Sequence, residues 1–482
     1  MKKFLPFILL FAAAFSLCGY GCEKERDRTV YEINCELSGN VLTGSETVEF
    51  YNFTDNAFGT LKFNLYGNAF RKDAEFSPVA RQYASKAYPS GKSYGDMRIN
   101  GVTGESGALE YEICGQDENI LSVALPEEVF PGDRASVTVD FTLSLAEVVA
   151  RTGVNADTVN LANFYPALCG IQDGEFYECV YYSNGDPFFS DCADYTVTLA
   201  ADENMVVAAT GVAVKSERET GKNVTTYKAE NVRSFAFVLS EKFESVTDKS
   251  TGADITYYYY KDENPSLALN AAVQAASFFA EKFGAYPYPA FSVVQTHFIQ
   301  GGMEFPGLAM VSDALESKAY LEVIVHETAH QWWQSVVGNN EIEYGFLDEG
   351  LAEYSVIAFY ETHPEYGFTR ANLVESAERT YKTFCTVYDK LFGKVNTVMP
   401  RSLKDFDSEY EYVNVAYVKP AIMYDVLRTT IGDAKFFGGL KRYYADFAFK
   451  NAVPSDLVAS FTRVGADVEG FFDGFFNGKA VL

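Results

Sequence analysis

Two histidines four residues apart constrain the fold of this 482-residue chain more than any other feature. His326 and His330 enclose Glu327 in the segment VHETAHQWW, residues 325–333, and the whole chain has only four histidines. On an α-helix, residues four apart lie on one face, so both imidazoles can bind one metal ion. Glu327 lies beside them, where a carboxylate can take a proton from a metal-bound water. The apolar flanks predict a buried helix that continues to a stop at 338–340, and the motif predicts a zinc hydrolase site.

A third ligand is expected, because catalytic zinc usually has three protein ligands and one open position. Glu349 is the candidate, since eighteen residues separate it from His330. That length allows the first helix to end, a loop to turn at 338–345, and a second helix to run over about 347–362. Glu353, one turn further on the same face, is either an orienting partner for an imidazole or a solvated helix carboxylate.

Further segments resemble one known family in the order in which they occur. The spacing H-E-x-x-H, eighteen residues, E is similar to that of the gluzincin metallopeptidases of the M1 aminopeptidase family. Segment 163–166, NFYP, resembles the family's N-W-Y-P element, and segment 301–306, GGMEFP, resembles its G-x-M-E-N element. Segment 417–421, YVKPA, resembles its Y-x-K-G-A element, and similar helical segments follow at 427–443. The resemblance covers residue 163 to the C-terminus.

The resemblance implies a role for each residue that matches the family's metal and catalytic motifs. One zinc ion would be held by His326, His330 and Glu349, and Glu327 would be the general base. The phenol of Tyr417 would donate a hydrogen bond to the tetrahedral intermediate, an interaction of a kind that contributes about 2.7–4 kcal/mol. The same residues predict peptide hydrolysis at neutral pH, because a zinc-bound water has a pKa near about 7.

The substrate-binding element implied by the family is Gly302, Met303 and Glu304, whose glutamate would bind the free α-amino group of a peptide. Two substitutions depart from the family pattern. Phe305 replaces the usual Asn, which we expect to remove a hydrogen-bonding side chain near the amine pocket. Pro420 replaces the usual Gly, and proline is compatible with the first turn of a helix.

Three functions remain open from the sequence. The first is a zinc-dependent aminopeptidase that removes N-terminal residues from peptides, and the second is a thermolysin-like endopeptidase with the same zinc ligands. The third is a catalytically silent surface lipoprotein that binds peptides. The net charge of −27 excludes nucleic acid as a partner, because phosphate binding requires a basic surface.

The N-terminal segment has the composition of an export signal. Two lysines precede an apolar stretch at 4–17 that is too short to span a membrane, so residues 1–22 are predicted to be a signal peptide. Cys22 follows a glycine, which favours a bacterial lipoprotein held at the cell surface or facing the periplasm, with simple secretion as the alternative. Membrane contact would then occur only through this lipid anchor. A disulfide among Cys169, Cys179 and Cys192 is also expected in an exported chain.

Two domains of a mixed α+β protein are predicted. Short alternating strands dominate from residue 23 to 246, which indicates an antiparallel β domain, and helical periods dominate 247–482. The resemblance implies a saddle-like β domain, a mainly α, thermolysin-like catalytic domain, and an active-site cleft between them. Many relatives add a large helical C-terminal domain, whereas this sequence ends at Leu482. The cleft is therefore expected to be open to longer peptides.

Overall fold

The computed structural model describes residues 27–480. Its N-terminal part is built from strands. The predicted signal peptide and Cys22 lie outside the described residues. The strands are β1 (Val30–Ser38), β2 (Val41–Tyr51), β3 (Phe58–Asn64), β4 (Asp96–Gly104), β5 (Gly107–Ala108), β6 (Tyr111–Cys114), β7 (Ile120–Val129), β8 (Arg134–Ser144), β9 (Thr152–Val154), β10 (Val159–Ala162), β11 (Ala167–Leu168), β12 (Ile171–Gln172), β13 (Glu175–Phe176), β14 (Ala193–Asp202), β15 (Val206–Ala209), β16 (Val212–Glu219), β17 (Lys222–Val232) and β18 (Ala236–Ser240). Short helical turns at Tyr66–Phe70, Arg81–Tyr83 and α1 (Ala84–Ala87) interrupt them.

An eight-stranded sheet in the order β16-β17-β14-β1-β2-β8-β4-β5 forms the base of this part. All its neighbours are antiparallel except β1 and β14, which are parallel. Along β1, buried and exposed residues alternate, because successive side chains of a strand point to opposite faces. Two four-stranded sheets, β15-β18-β10-β9 and β11-β3-β7-β6, and the two-stranded sheet β12-β13 complete it.

The second part combines one sheet with a group of helices. Its strands are β19 (Glu244–Asp248), β20 (Asp254–Tyr259), β21 (Ala290–Thr296), β22 (Gly302–Phe305), β23 (Leu308–Ser312), β24 (Val337–Gly338) and β25 (Lys450–Asn451). Its helices are α2 (Pro265–Lys282), α3 (Ser317–Ala329), α4 (Glu341–Tyr344), α5 (Phe346–Thr362), α6 (Arg370–Phe392), α7 (Glu409–Tyr412), α8 (Lys419–Ile431), α9 (Asp433–Phe447), α10 (Pro454–Arg463) and α11 (Glu469–Phe476), with 3-10 turns at Pro364–Tyr366 and Leu403–Asp405 and a π-helical turn at Val413–Val418. The α+β class predicted from the sequence is confirmed.

The five-stranded sheet has the order β19-β20-β21-β23-β22, and α3, the helix that contains His326, packs against it. Helix α3 packs on β22 and β23 and between α2 and α5. Strand β19 pairs with β20, so the residue 246/247 boundary expected from the sequence falls inside a strand of this sheet. Within residues 27–480, no helix is both long and apolar enough to cross a membrane.

Helix α3 ends earlier than the sequence predicted. It stops at Ala329 with His330 as its C-terminal cap, whereas the apolar flanks predicted a stop at 338–340. Trp332 and Trp333 lie in the tight turns that follow, and both are buried. Their indole N–H groups donate to a backbone carbonyl and a serine hydroxyl in the surrounding core. The apolar pattern gave the wrong helix end because both indole rings are buried by tertiary packing, outside the helix.

The disulfide predicted among Cys169, Cys179 and Cys192 is not formed. All six cysteines of the described residues are free thiols. The backbone N–H of Cys169 donates to the carbonyl of Lys62, and that of Cys179 donates to the Asn64 side chain. Hydrogen bonds from these two backbone N–H groups to β3 therefore hold the segment without an S–S bond.

Candidate active site

Three ligand atoms from two helices converge at the bottom of the cleft between the two parts. His326 Nε2 lies 3.0 Å from His330 Nε2 and 3.3 Å from Glu349 Oε2, and the last two atoms are 3.2 Å apart. A tetrahedral zinc ion with bonds of about 2.0–2.1 Å separates its ligand atoms by roughly 3.3 Å. The end of α3 and the first turn of α5 therefore place these side chains at the spacing that zinc requires.

The partners of the imidazole rings fix which nitrogen faces the site. His330 Nδ1 lies 2.9 Å from the carbonyl of Trp333, and His326 Nδ1 lies 3.4 Å from Glu353 Oε1. Because both partners accept hydrogen bonds, a proton on each Nδ1 is satisfied, and each Nε2 is left to bind a cation, either a second proton or a metal ion. Two lone pairs and a carboxylate oxygen then face one another, an arrangement that a cation stabilises.

The electrostatics of the site also fit a cation. Burial lowers the pKa of His330, but the carboxylates of Glu304 and Glu349 outweigh it and raise that pKa to about 10. Burial raises the pKa of Glu349, but the two imidazoles outweigh it and hold that pKa well below its usual range. A zinc ion bound by these residues would supply Lewis acidity and would lower the pKa of a coordinated water.

Glu327 lies beside the ligands with a free oxygen. It is 4% exposed, and its Oε2 atom has no hydrogen-bond partner. Burial raises its pKa to about 7. A Cβ atom on Gly302 would come within 2.2 Å of Glu327 Oε1, so only glycine fits opposite this carboxylate. The position and the unused lone pairs suit a general base.

Tyr417 reaches the site from the π-helical turn that precedes α8. Its hydroxyl donates to Glu349 Oε1 at 2.5 Å, and its ring stacks on that of His326. Burial and then the charge of Glu349 raise its pKa well above the usual value, so the phenol keeps its proton. Pro420 is the second residue of α8 and packs where Gly350 leaves room. Tyr417 thus holds a hydrogen-bond donor beside the metal ligands, and it must release Glu349 to donate to a substrate.

Glu304 lies on β22, the strand at the edge of the five-stranded sheet. It is 3% exposed, its Oε1 atom has no hydrogen-bond partner, and burial raises its pKa to about 7. One of its oxygens lies within 4.8 Å of a ligand atom of His330. A buried carboxylate with a free oxygen at this distance can bind a cationic group of a substrate.

Strand alternation separates Glu304 from its neighbours in the sequence. Met303 and Phe305 pack into a separate apolar core with residues such as Phe298 and Met310, while Gly302 and Glu304 line the cleft. The side chain of Met303 is therefore directed away from the cleft. Phe305, expected to change the amine pocket, instead fills this core, because neighbouring residues of a strand face opposite sides.

The N-terminal part contributes two residues that no sequence signal indicated. Arg151 and Asp186 form an ion pair in the cleft wall, and each is 7% exposed. Burial raises the pKa of Asp186 to about 7, although the charge of Arg151 opposes that shift. An Asp186 oxygen lies within 4.8 Å of carboxylate oxygens of Glu304 and Glu349. This ion pair forms the part of the cleft wall that lies next to Glu304.

The cleft has a volume of about 430 Å³ and carries mostly negative charge. Besides the residues above, its lining includes the carboxylates of Glu322, Glu353 and Glu409. Among residues 27–480, Arg151 is the only lysine or arginine that lines the cleft, and Asp186 balances its charge. This surface favours a cationic ligand.

Comparison with known proteins identifies the catalytic part. Residues 267–475 match the model of the Peptidase family M1 domain. Endoplasmic reticulum aminopeptidase 2 of Homo sapiens is 23% identical over 366 residues, which are 71% of this chain and 37% of that protein. Aminopeptidase N of Haemonchus contortus is 23% identical over 303 residues, 58% of this chain and 30% of that protein. The chain thus spans well under half the length of these curated relatives.

Solved structures share the fold across both parts. A variant of the M1 zinc metallopeptidase from Deinococcus radiodurans has a TM-score of 0.68 at 16% identity, and the match covers 95% of each chain. The same TM-score, identity and coverage hold for a variant of that enzyme bound to the substrate Tyr-Ser-Ala. The residues that carry the candidate metal site therefore lie in a Peptidase family M1 domain, and the chain shares the fold of M1 zinc metallopeptidases over nearly all of its length.

Proposed function

We propose that the protein is a zinc-dependent aminopeptidase that releases N-terminal residues from peptides. The observation that carries this proposal is the buried Glu304, whose free Oε1 atom lies in the cleft near the metal ligands. A protonated α-amino group would satisfy this oxygen and neutralise its charge, whereas an acylated amine would not. Glu304 thereby selects substrates with a free N-terminus.

Three residues of the cleft have separate roles in the proposed reaction. Glu304 holds the α-ammonium group, which places the first peptide bond beside Glu327 and Tyr417. Glu327 accepts the proton of the attacking water and transfers it to the departing amine. Tyr417 donates its hydrogen bond to the scissile carbonyl oxygen as negative charge develops there.

Hydrolysis of an aminoacyl 4-nitroanilide tests the proposal. We expect turnover by the zinc-loaded protein, loss of turnover with a chelator, and no cleavage of the N-acetylated substrate. Glu304→Gln should lower kcat/KM by about ten- to a hundred-fold, because it removes a hydrogen bond between charged groups. Cleavage of an N-acetylated peptide at an internal bond would support the endopeptidase alternative instead. Peptide binding without any turnover would support the silent binding protein.

We propose also that the chain is exported and held on a membrane by a lipid on Cys22. The proposal is supported by the short apolar stretch at 4–17 and by the glycine that precedes the cysteine. Cys22→Ser should move the protein from the detergent phase to the aqueous phase in a detergent-partition assay of producing cells. Wild-type protein found in the aqueous phase would refute the anchor.

A further inference from the structure

The His330 turn, residues 330–337, follows α3 and fixes the second metal ligand through backbone groups. His330 Nδ1 donates to the carbonyl of Trp333 at 2.9 Å, and the N–H of Ser335 donates to the carbonyl of His330 at 3.0 Å. Gln334 has a φ of 133°, in a region that residues with a side chain rarely adopt. Such backbone strain persists only where the surrounding structure imposes it.

The peptide group between Trp333 and Gln334 links this strain to the metal ligand. Its carbonyl accepts the hydrogen bond from His330, and its N–H donates to the carbonyl of Val337 at 2.9 Å. A rotation of this peptide group would change φ of Gln334 and relieve the strain, and it would also turn the carbonyl away from His330. The orientation of the imidazole therefore depends on the contacts that hold Gln334 in place.

Arg233, in the segment between β17 and β18 of the N-terminal part, makes those contacts. It is 4% exposed. Its Nε atom donates to the carbonyl of Gln334 at 2.7 Å, and its Nη2 atom donates to the carbonyl of Val336 at 3.4 Å. Nη2 also donates to the carbonyl of Lys450 at 2.6 Å, and Nη1 donates to that of Ser190 at 3.2 Å. One guanidinium thus ties the His330 turn to two other segments by charge-assisted hydrogen bonds.

The chain leaves room for this guanidinium at Gly338, in β24. A Cβ atom there would come within 2.1 Å of Arg233 Cζ, so a larger residue would displace the guanidinium. Strand β24 pairs in parallel with β25, where Gly338 is opposite Asn451, and the side-chain oxygen of Asn451 also accepts from Arg233. Three segments of the chain therefore set the position of the guanidinium, and a metal ligand needs support of this kind to keep its orientation.

We propose that Arg233 is a positioning residue for the zinc ligand His330. By fixing the carbonyl of Gln334, it holds the preceding peptide group in the strained orientation in which the Trp333 carbonyl accepts from His330 Nδ1. That hydrogen bond sets the ring with Nε2 toward the metal site, and outer partners of this kind strengthen metal binding. The N-terminal part thereby controls the affinity of a site whose three ligands belong to the helical part. The inference rests on the zinc site of the proposed function.

The zinc affinity of the metal-free protein measures this role without any substrate. Competition with a chromophoric chelator gives the Kd of the wild type and of Arg233→Met, which keeps an apolar side chain in place of the arginine stem and removes its donors. We expect Kd to rise by about ten-fold, because loss of an outer hydrogen-bond partner of a ligating histidine typically costs about 10–100-fold in affinity. An unchanged Kd would overturn the proposal.

Arg428→Met is the matched control, since it also removes a buried guanidinium from a network. Arg428 is 5% exposed and donates to Glu361 at 2.7 Å and to Asp433 at 2.9 Å. Glu361 lies in the last turn of α5, whereas Glu349 lies in its first turn. Both variants should lower Tm, because each removes charge-assisted hydrogen bonds, and only Arg233→Met should raise Kd. An equal rise in Arg428→Met would refute the positioning role, because the effect would then come from general destabilisation.

Gly338→Ala is a second variant, which keeps the arginine and displaces its guanidinium. It should raise Kd as Arg233→Met does. The visible absorption of Co²⁺ bound in place of zinc reports the geometry of the ligands, and it should shift in both variants and match wild type in Arg428→Met. This variant decides the question if Arg233→Met does not fold: a wild-type Kd and a wild-type spectrum in Gly338→Ala would then refute the proposal.

The failure of this inference differs from the failure of the proposed function. If Arg233→Met binds zinc more weakly and the wild type removes no N-terminal residues, the positioning role stands and the aminopeptidase function fails. If the wild type removes N-terminal residues and Arg233→Met binds zinc as tightly as the wild type, the function stands and the positioning role fails. A wild-type protein that binds no zinc would overturn both.

Discussion

Gly302→Ala tests the position of the general base without touching a charged group. The added Cβ atom would come within 2.2 Å of Glu327 Oε1, whereas ordinary contacts of this kind begin at 3.4 Å. The carboxylate must therefore move by roughly 1 Å, and a misplacement of that size at a reacting group costs about a hundred-fold in rate. We expect kcat to fall by about this factor, because a positioned base contributes about 10²–10⁴-fold.

The neighbouring glycine supplies a matched control. A Cβ atom on Gly301 would meet only the Val323 Cγ2 atom, at 3.5 Å, which is ordinary van der Waals contact. Gly301→Ala should therefore keep kcat within about two-fold of wild type. Both variants add one methyl group to the same segment, so a difference between them reports the contact with Glu327.

Steady-state hydrolysis of an aminoacyl 4-nitroanilide, with zinc content and Tm measured on the same samples, is the assay. Zinc content should match wild type in both variants, because neither change touches a ligand, and Tm should fall only in Gly302→Ala, where the added methyl group overpacks a buried site. Wild-type kcat in Gly302→Ala would refute the placement of Glu327 opposite this glycine. Loss of zinc with the loss of rate would show that the metal ligands had moved and not the base.

Three further predictions concern the oxyanion donor, the metal and a buried acid. Tyr417→Phe should lower kcat by about 10²–10³-fold while zinc stays bound, and an unchanged kcat would exclude the phenol as a donor. A chelator should abolish hydrolysis and lower Tm, and added zinc should restore both; a Tm indifferent to chelator would contradict the metal site. Burial raises the pKa of Asp313, but hydrogen bonds from His297 and Lys261 outweigh it and lower that pKa from 3.8 to about 2. An acid whose pKa is lowered by folding stabilises the folded state above its unfolded pKa. Asp313 should therefore add about 2 kcal/mol to the free energy of unfolding above pH 4, and this contribution should be lost as the pH falls through 2. In denaturant titrations, Asp313→Asn should remove this pH dependence of the free energy of unfolding. The same pH profile in the variant and the wild type would contradict the assignment to Asp313.

Local sequence rules predicted the bounds of α5 correctly and the end of α3 wrongly. Helix α5 was expected over 347–362 and spans Phe346–Thr362, because apolar residues recur along it and a proline follows at 364. The end of α3 was missed, since burial of Trp332 and Trp333 arises from tertiary contacts that periodicity cannot separate from a helix. The side-chain direction at Phe305 was also misjudged, because strand β22 was not recognised and its alternation decides that direction.

The sequence by itself identified the candidate metal ligands, because the ligand spacing depends on local helix geometry. His326, His330 and Glu349 are related by one helical turn and by one helix–loop–helix return, both of which are readable from residue type and number. Only the tertiary structure decided what surrounds that set. Arg151 and Asp186 come from the β part, and an Asp186 oxygen lies close to Glu304 because that part packs against the helical part. The charge and shape of the pocket arise from that packing, which no local pattern in the chain encodes.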